Sequence, residues 1–107
     1  MMEKISDEAL AAYDDLVAEL EPAGVTRGQS FGMPCLKIGR KMVAGMFGNA
    51  MAFKLPPGVL EEALAVPGAG PFDPAGGRPM KEWVLIPLEQ SAVWAEYGAD
   101  ALEYVRG

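Results

Sequence analysis

Two glycine-led pairs, Gly39-Arg40 and Gly48-Asn49, constrain this chain more than any other feature. Leu36-Lys37-Ile38 and Lys41-Met42-Val43 flank the first pair, and Met46-Phe47 and Ala50-Met51 flank the second. Glycine enters positive φ without a Cβ penalty, so a two-residue loop that opens with it matches the right-handed twist of paired strands. Each pair therefore reads as a hairpin turn, and together they make a meander of three antiparallel strands between Gln29 and Leu55. With both loops two residues long, Ile38 faces Lys41 and Phe47 faces Ala50, and parity sorts the side chains onto two faces. One face holds Cys35, Lys37, Met42, Ala44, Met46, Met51, Phe53 and Leu55 and is expected to lie under helices. The other holds Leu36, Ile38, Lys41, Val43, Gly45, Phe47, Ala50, Ala52 and Lys54. Its Leu36, Ile38, Val43 and Phe47 are expected to be partly exposed, and an apolar cluster of that kind marks an interface.

Helical periodicity frames the meander. Ser6 suits an N-cap, with Asp7 and Glu8 at the positive end of the helix dipole. Leu10, Tyr13, Leu16, Val17 and Leu20 then recur at helical spacing until Pro22 and Gly24. Pro56-Pro57 opens a second, short helix carrying Val59, Leu60, Ala63 and Leu64, which Pro67-Gly68 stops. Residues 67–79 read as a glycine- and proline-rich loop, and Lys81 to Ile86 as a short strand. Beyond Pro87, Trp94, Tyr97, Ala101, Tyr104 and Val105 share a helical face, with Gly98 expected to kink or interrupt that helix. The layout, α-β3-α-β(1–2)-α, predicts one α+β domain over residues 1–107, two layers deep, with helices mainly on one face of an antiparallel sheet.

The length of 107 residues and an apolar fraction of 50% suffice for a core without staples. A single cysteine, Cys35, forms no internal disulfide, which suits a reducing compartment. The start of the chain is acidic and lacks the apolar stretch of a signal peptide, and no run is long enough to cross a bilayer. A soluble cytoplasmic protein without membrane contact is the expectation. The net charge of −6 is unevenly spread: residues 1–21 carry −6, residues 22–60 carry +5 with no acid, and residues 61–107 carry −5. A basic sheet between acidic helices is one reading; an anion-attracting sheet surface is the other.

Chemistry has little to work with. The chain has no histidine, so histidine-dependent triads, dyads and zinc sites are excluded, and one thiol cannot build a cluster site. Cys35 reads as a buried packing thiol. Gly68, Gly70, Gly76, Gly77 and Arg78 match no phosphate-loop or dinucleotide spacing and read as a connecting loop. Of seven methionines, five fall in or beside the sheet, as gap-filling core or as a deformable binding surface. Lys81 and Trp83 share a strand face, either as a structural lock with the lysine stem on the indole or as a ligand-facing platform. No catalytic residue, metal site or cofactor is expected.

Five runs, in order, resemble the N-terminal domain of the TfoX/Sxy competence-regulator family. They are Phe31-Gly32-Met33-Pro34-Cys35-Leu36-Lys37, Ala44-Gly45-Met46-Phe47-Gly48-Asn49, Phe53-Lys54-Leu55-Pro56, Pro71-Phe72-Asp73-Pro74 and Arg78 through Val84. The resemblance implies a secretion-chaperone-like two-layer fold and a regulatory role, since the name-giving bacterial proteins promote competence-gene expression. Those proteins carry a second, helical domain beyond the region matched here. The family brings no catalytic residues to these positions. The function expected is thus a non-enzymatic regulatory module that binds a protein or itself, through Leu36, Ile38, Lys41, Val43, Phe47 and Lys54. The alternative is nucleic-acid binding through Lys37, Arg40, Lys41 and Lys54, which the net charge disfavours.

Overall fold

Ser6 caps the first helix, α1 (Asp7–Leu20), in a computed structural model that describes residues 5–30, 32–73, 76–77 and 79–107. The Ser6 hydroxyl accepts from the Ala9 N–H at 3.1 Å, and the Ser6 N–H donates to Asn49 Oδ1 at 2.9 Å. The turn asparagine thus ties the helix start to the sheet. Ala9, Tyr13, Leu16, Val17 and Leu20 form the buried stripe, whereas Leu10 points outward. Phe31, Pro74 and Arg78 of the family-like runs, and the first four residues, lie outside the described set.

Six antiparallel strands follow in the order β1-β2-β3-β4-β6-β5. They are β1 (Thr26–Ser30), β2 (Met33–Ile38), β3 (Lys41–Phe47), β4 (Ala50–Lys54), β5 (Gly70–Pro71) and β6 (Trp83–Ile86). Helix α2 (Pro57–Leu64) joins β4 to β5, and a 3-10 segment leads from β6 into α3 (Trp94–Arg106). Gly39 and Gly48 take φ +61° and +60° at the first turn position, as the two hairpins require. All three helices contribute to one apolar core on one face of the sheet, which is the expected two-layer α+β arrangement. Among the described residues no helix is long and apolar enough to cross a membrane.

The meander has four strands rather than three. β1 reads Thr-Arg-Gly-Gln-Ser and has no apolar alternation, because it is an edge strand whose Arg27 covers the Tyr13 ring (5.3 Å) and pairs with Asp14 at 2.8 Å. The expected loop over 67–79 likewise contains β5, and the last strand starts at Trp83 instead of Lys81. Lys81 and Glu82 form a turn, with Glu82 at φ +73°.

The larger correction concerns the two faces. Leu36 pairs with Ala44 but Lys37 pairs with Met42, so Val43 is an extra residue, a β-bulge. From Ala44 onward the expected faces hold. Before the bulge they exchange: Leu36, Ile38, Lys41 and Val43 take helix-side positions, Lys41 at the exposed start of β3, and Cys35, Lys37 and Met42 go to the other. Leu36 and Val43 are wholly buried in the core, so neither offers an interaction surface, and the half-buried Ile38 packs against that core on the helix side. The reason is energetic. Without the bulge, β2 would place the Lys37 ammonium beneath the helices and leave two branched apolar side chains in water.

Helix α3 runs through Gly98 without a break. A Cβ there would stand 2.8 Å from Leu20 Cδ1 and 3.2 Å from Leu16 Cδ1, so glycine lets α1 and α3 approach. Gly98→Val should destabilise by about 1–3 kcal/mol through overpacking, read as a lower urea midpoint. Gly98→Ala should change little, because helix propensity gains about 1 kcal/mol while a flexible leucine end gives way.

Candidate functional site

The face away from the helices is built by register. Gly28, Cys35, Gly45, Ala52 and Leu85 stand opposite one another from β1 to β6. Four of the five are small, so this row forms a shallow trough across the sheet. Phe47 on β3 and Trp83 on β6 lie on either side of it. The Phe72 ring, from the segment after β5, sits 5.4 Å from Phe47 and 5.9 Å from Trp83. Contact with both places Phe72 above Ala52, which is accordingly buried. Phe47 meets Phe72 edge-on at 75°, and Phe72 meets Trp83 at 48°.

Two lysines share this face. Lys54 stands opposite Trp83, and Lys37 opposite Met42. Both are half-buried, their stems lying on the sheet and their charge outward. A Cβ at Gly28 would come within 3.1 Å of the Lys37 stem and 3.3 Å of Cys35 Sγ, so the stem and the thiol lie side by side over that glycine. No strand residue between Thr26 and Lys54 is acidic. Among the described residues neither Lys37, Lys54 nor Lys81 pairs with a carboxylate; the ion pairs are Arg27–Asp14 and Arg106–Glu103.

The remaining sequence-derived candidates scatter. Lys41 is exposed at the start of β3, opposite Ile38. Lys81 is exposed in its turn and does not stack on Trp83, whose aromatic neighbour is Phe72; the indole is 8% exposed. The indole thus packs against Phe72 and not under a lysine stem. Lys81, Glu82 and Trp83 also line an open cleft of about 780 Å³ with Pro79 and Met80. The Glu82 carboxylate accepts the Tyr104 hydroxyl, which holds that phenol's proton and raises its pKa. Among the described residues no three metal-binding side chains converge. Phe72 was missing from the candidates, although a lone aromatic in a glycine- and proline-rich stretch signals a segment that must dock somewhere.

Cys35 is fully buried on this face, and burial raises its thiol pKa against a smaller lowering by Lys37. Native protein should react with a thiol reagent far more slowly than unfolded protein. The folded thiol keeps its proton to higher pH than the unfolded one, so its contribution to stability is complete below about pH 8.5 and is lost as pH rises. Burial acts in the same direction on Tyr13 and Tyr97. Melting at increasing pH should show an alkaline decline whose first part Cys35→Ala removes.

No family model, no curated protein and no solved structure matches this chain.

Proposed function

We propose that this chain is a non-enzymatic interaction module that holds a protein partner on the open face of its sheet, in a regulatory role. The composition of that face carries the reading: an aromatic group with Phe47 39% exposed, flanked by lysines without acids, opposite a face that helices already cover. The regulatory part rests on the resemblance to the TfoX/Sxy N-terminal domain, as does placement in the cytoplasm. Absence of a histidine from the sequence supports a role without catalysis.

A second reading, single-stranded nucleic acid on the same face, draws support from Lys54 standing opposite Trp83, with Lys37 on the same face. One experiment separates the two. The chain and its Phe47→Asp variant serve as bait in a lysate, with and without nuclease. A defined protein held by the wild type despite nuclease, and lost by the variant, supports the leading reading. Capture that disappears with nuclease favours the second. Equal capture by wild type and variant rejects this face.

A further inference from the structure

We propose that the open face receives an acidic amphipathic helix lying across the strands, with carboxylates two turns apart meeting Lys37 and Lys54. This rests on the reading of that face as a protein-binding surface and names the partner's chemistry.

The spacing comes from the sheet. Lys37 is on β2 and Lys54 on β4, with β3 between them, and two strand spacings of about 4.8 Å place the lysine stems roughly 10 Å apart. Two turns of α-helix, i to i+7, rise about 10.5 Å. A helix crossing the strands can therefore set glutamates at i and i+7 over the two ammonium groups. An apolar side chain at i+3 or i+4 then falls towards Met42, on the intervening strand. Phe72, over the neighbouring row at Ala52, offers apolar surface along one side of this line, and Phe47 extends that surface on the same side, one row further on.

A helix is required because the face presents side chains, not main-chain groups. An extended segment laid there would leave its own N–H and C=O groups without partners, whereas a helix satisfies them internally. The partner is acidic because, among the described residues, the lysines of this face pair with no carboxylate and no strand residue is acidic. The nearby Asp73 is committed, accepting from the Gly76 and Gly77 N–H groups at 2.8 and 2.9 Å. A second copy placed face to face would oppose Lys37 and Lys54 to their own kind, which favours a different partner. The edge-on and tilted rings give poor platforms for parallel base stacking.

The test is fluorescence anisotropy with blocked, labelled helical peptides. One carries glutamate at i and i+7 with leucine at i+3 and i+4; two others replace glutamate by glutamine or lysine; oligo(dT) is the fourth probe. The glutamate peptide should bind best and weaken as salt rises. Lys37→Gln and Lys54→Gln should each weaken it about two- to fivefold, the size of a partly exposed ion pair, while Arg40→Gln in the hairpin turn leaves it unchanged. Phe47→Ala should weaken the glutamate and glutamine peptides alike, and melting curves confirm that each variant is folded. Equal binding of the glutamine peptide, or an equal loss in Arg40→Gln, overturns the acidic helix while the protein-binding face stands. Binding of oligo(dT) in place of the peptides overturns both. Failure of every probe overturns this inference alone, since capture from lysate decides the broader reading.

Discussion

Leu36→Glu is expected to leave the chain unfolded at 25 °C, whereas Lys37→Glu, one residue along, folds. Leu36 is wholly buried in the core on the helix side of the sheet. Losing a buried leucine side chain costs about 2–5 kcal/mol. A carboxylate in its place must be buried without a partner or expel the helices, which adds several kcal/mol more. Against a total stability of about 5–15 kcal/mol for a domain of this size, the sum is prohibitive. Lys37 lies on the open face with its charge in water, so charge reversal should change stability by about 1 kcal/mol or less. Circular dichroism and urea titration of the two variants measure the difference. The bulge at Val43 is what is at stake: without it the outcomes would be reversed, with Lys37→Glu placing a charge beneath the helices and Leu36→Glu facing solvent.

The next largest loss is expected at Trp94, the bulkiest of the fully buried side chains, 1% exposed at the start of α3. Trp94→Ala should cost about 3–5 kcal/mol, combining lost transfer energy with a cavity that three helices cannot close. At about 4–8 °C per kcal/mol for a domain of this length, the melting temperature falls by tens of degrees. Trp94→Phe behaves differently. The indole Nε1–H is buried with no hydrogen-bond partner among the described residues, so phenylalanine keeps most of the apolar volume and removes an unsatisfied donor. Its loss should stay below about 1.5 kcal/mol. A large loss in Trp94→Phe would show that the N–H has a partner, such as a bound water.

Periodicity and punctuation made much of the fold legible. The Ser6 cap, both hairpin glycines, the proline start of α2 and the apolar stripe of α3 are local signals, because each reports a backbone requirement within a few residues. β1 escaped because an edge strand covered by an arginine need not alternate. Gly98 was misread for a related reason: it serves a close approach to Leu16 and Leu20, residues distant in sequence, and leaves its own helix straight.

For the candidate surface, Phe47 and Lys54 were identified by parity alone, since they lie beyond the bulge. Leu36, Ile38, Lys41 and Val43 were assigned to the wrong side by the same rule. One warning was present in the sequence, because strict alternation placed the single charged residue of the buried face, Lys37, under the helices. Phe72 joins Phe47 and Trp83 only after the segment following β5 folds back over Ala52.

The sequence by itself determined the two layers, the turns and which helix stripes are apolar, since these follow from capping, glycine conformation and periods of 3.6 and 2. Only the tertiary structure decided which side of β2 faces the core. One extra residue in β3 costs little locally, yet it exchanges a buried lysine for buried leucine and valine, with Ile38 packed against them. That balance exists only when strands and helices pack together.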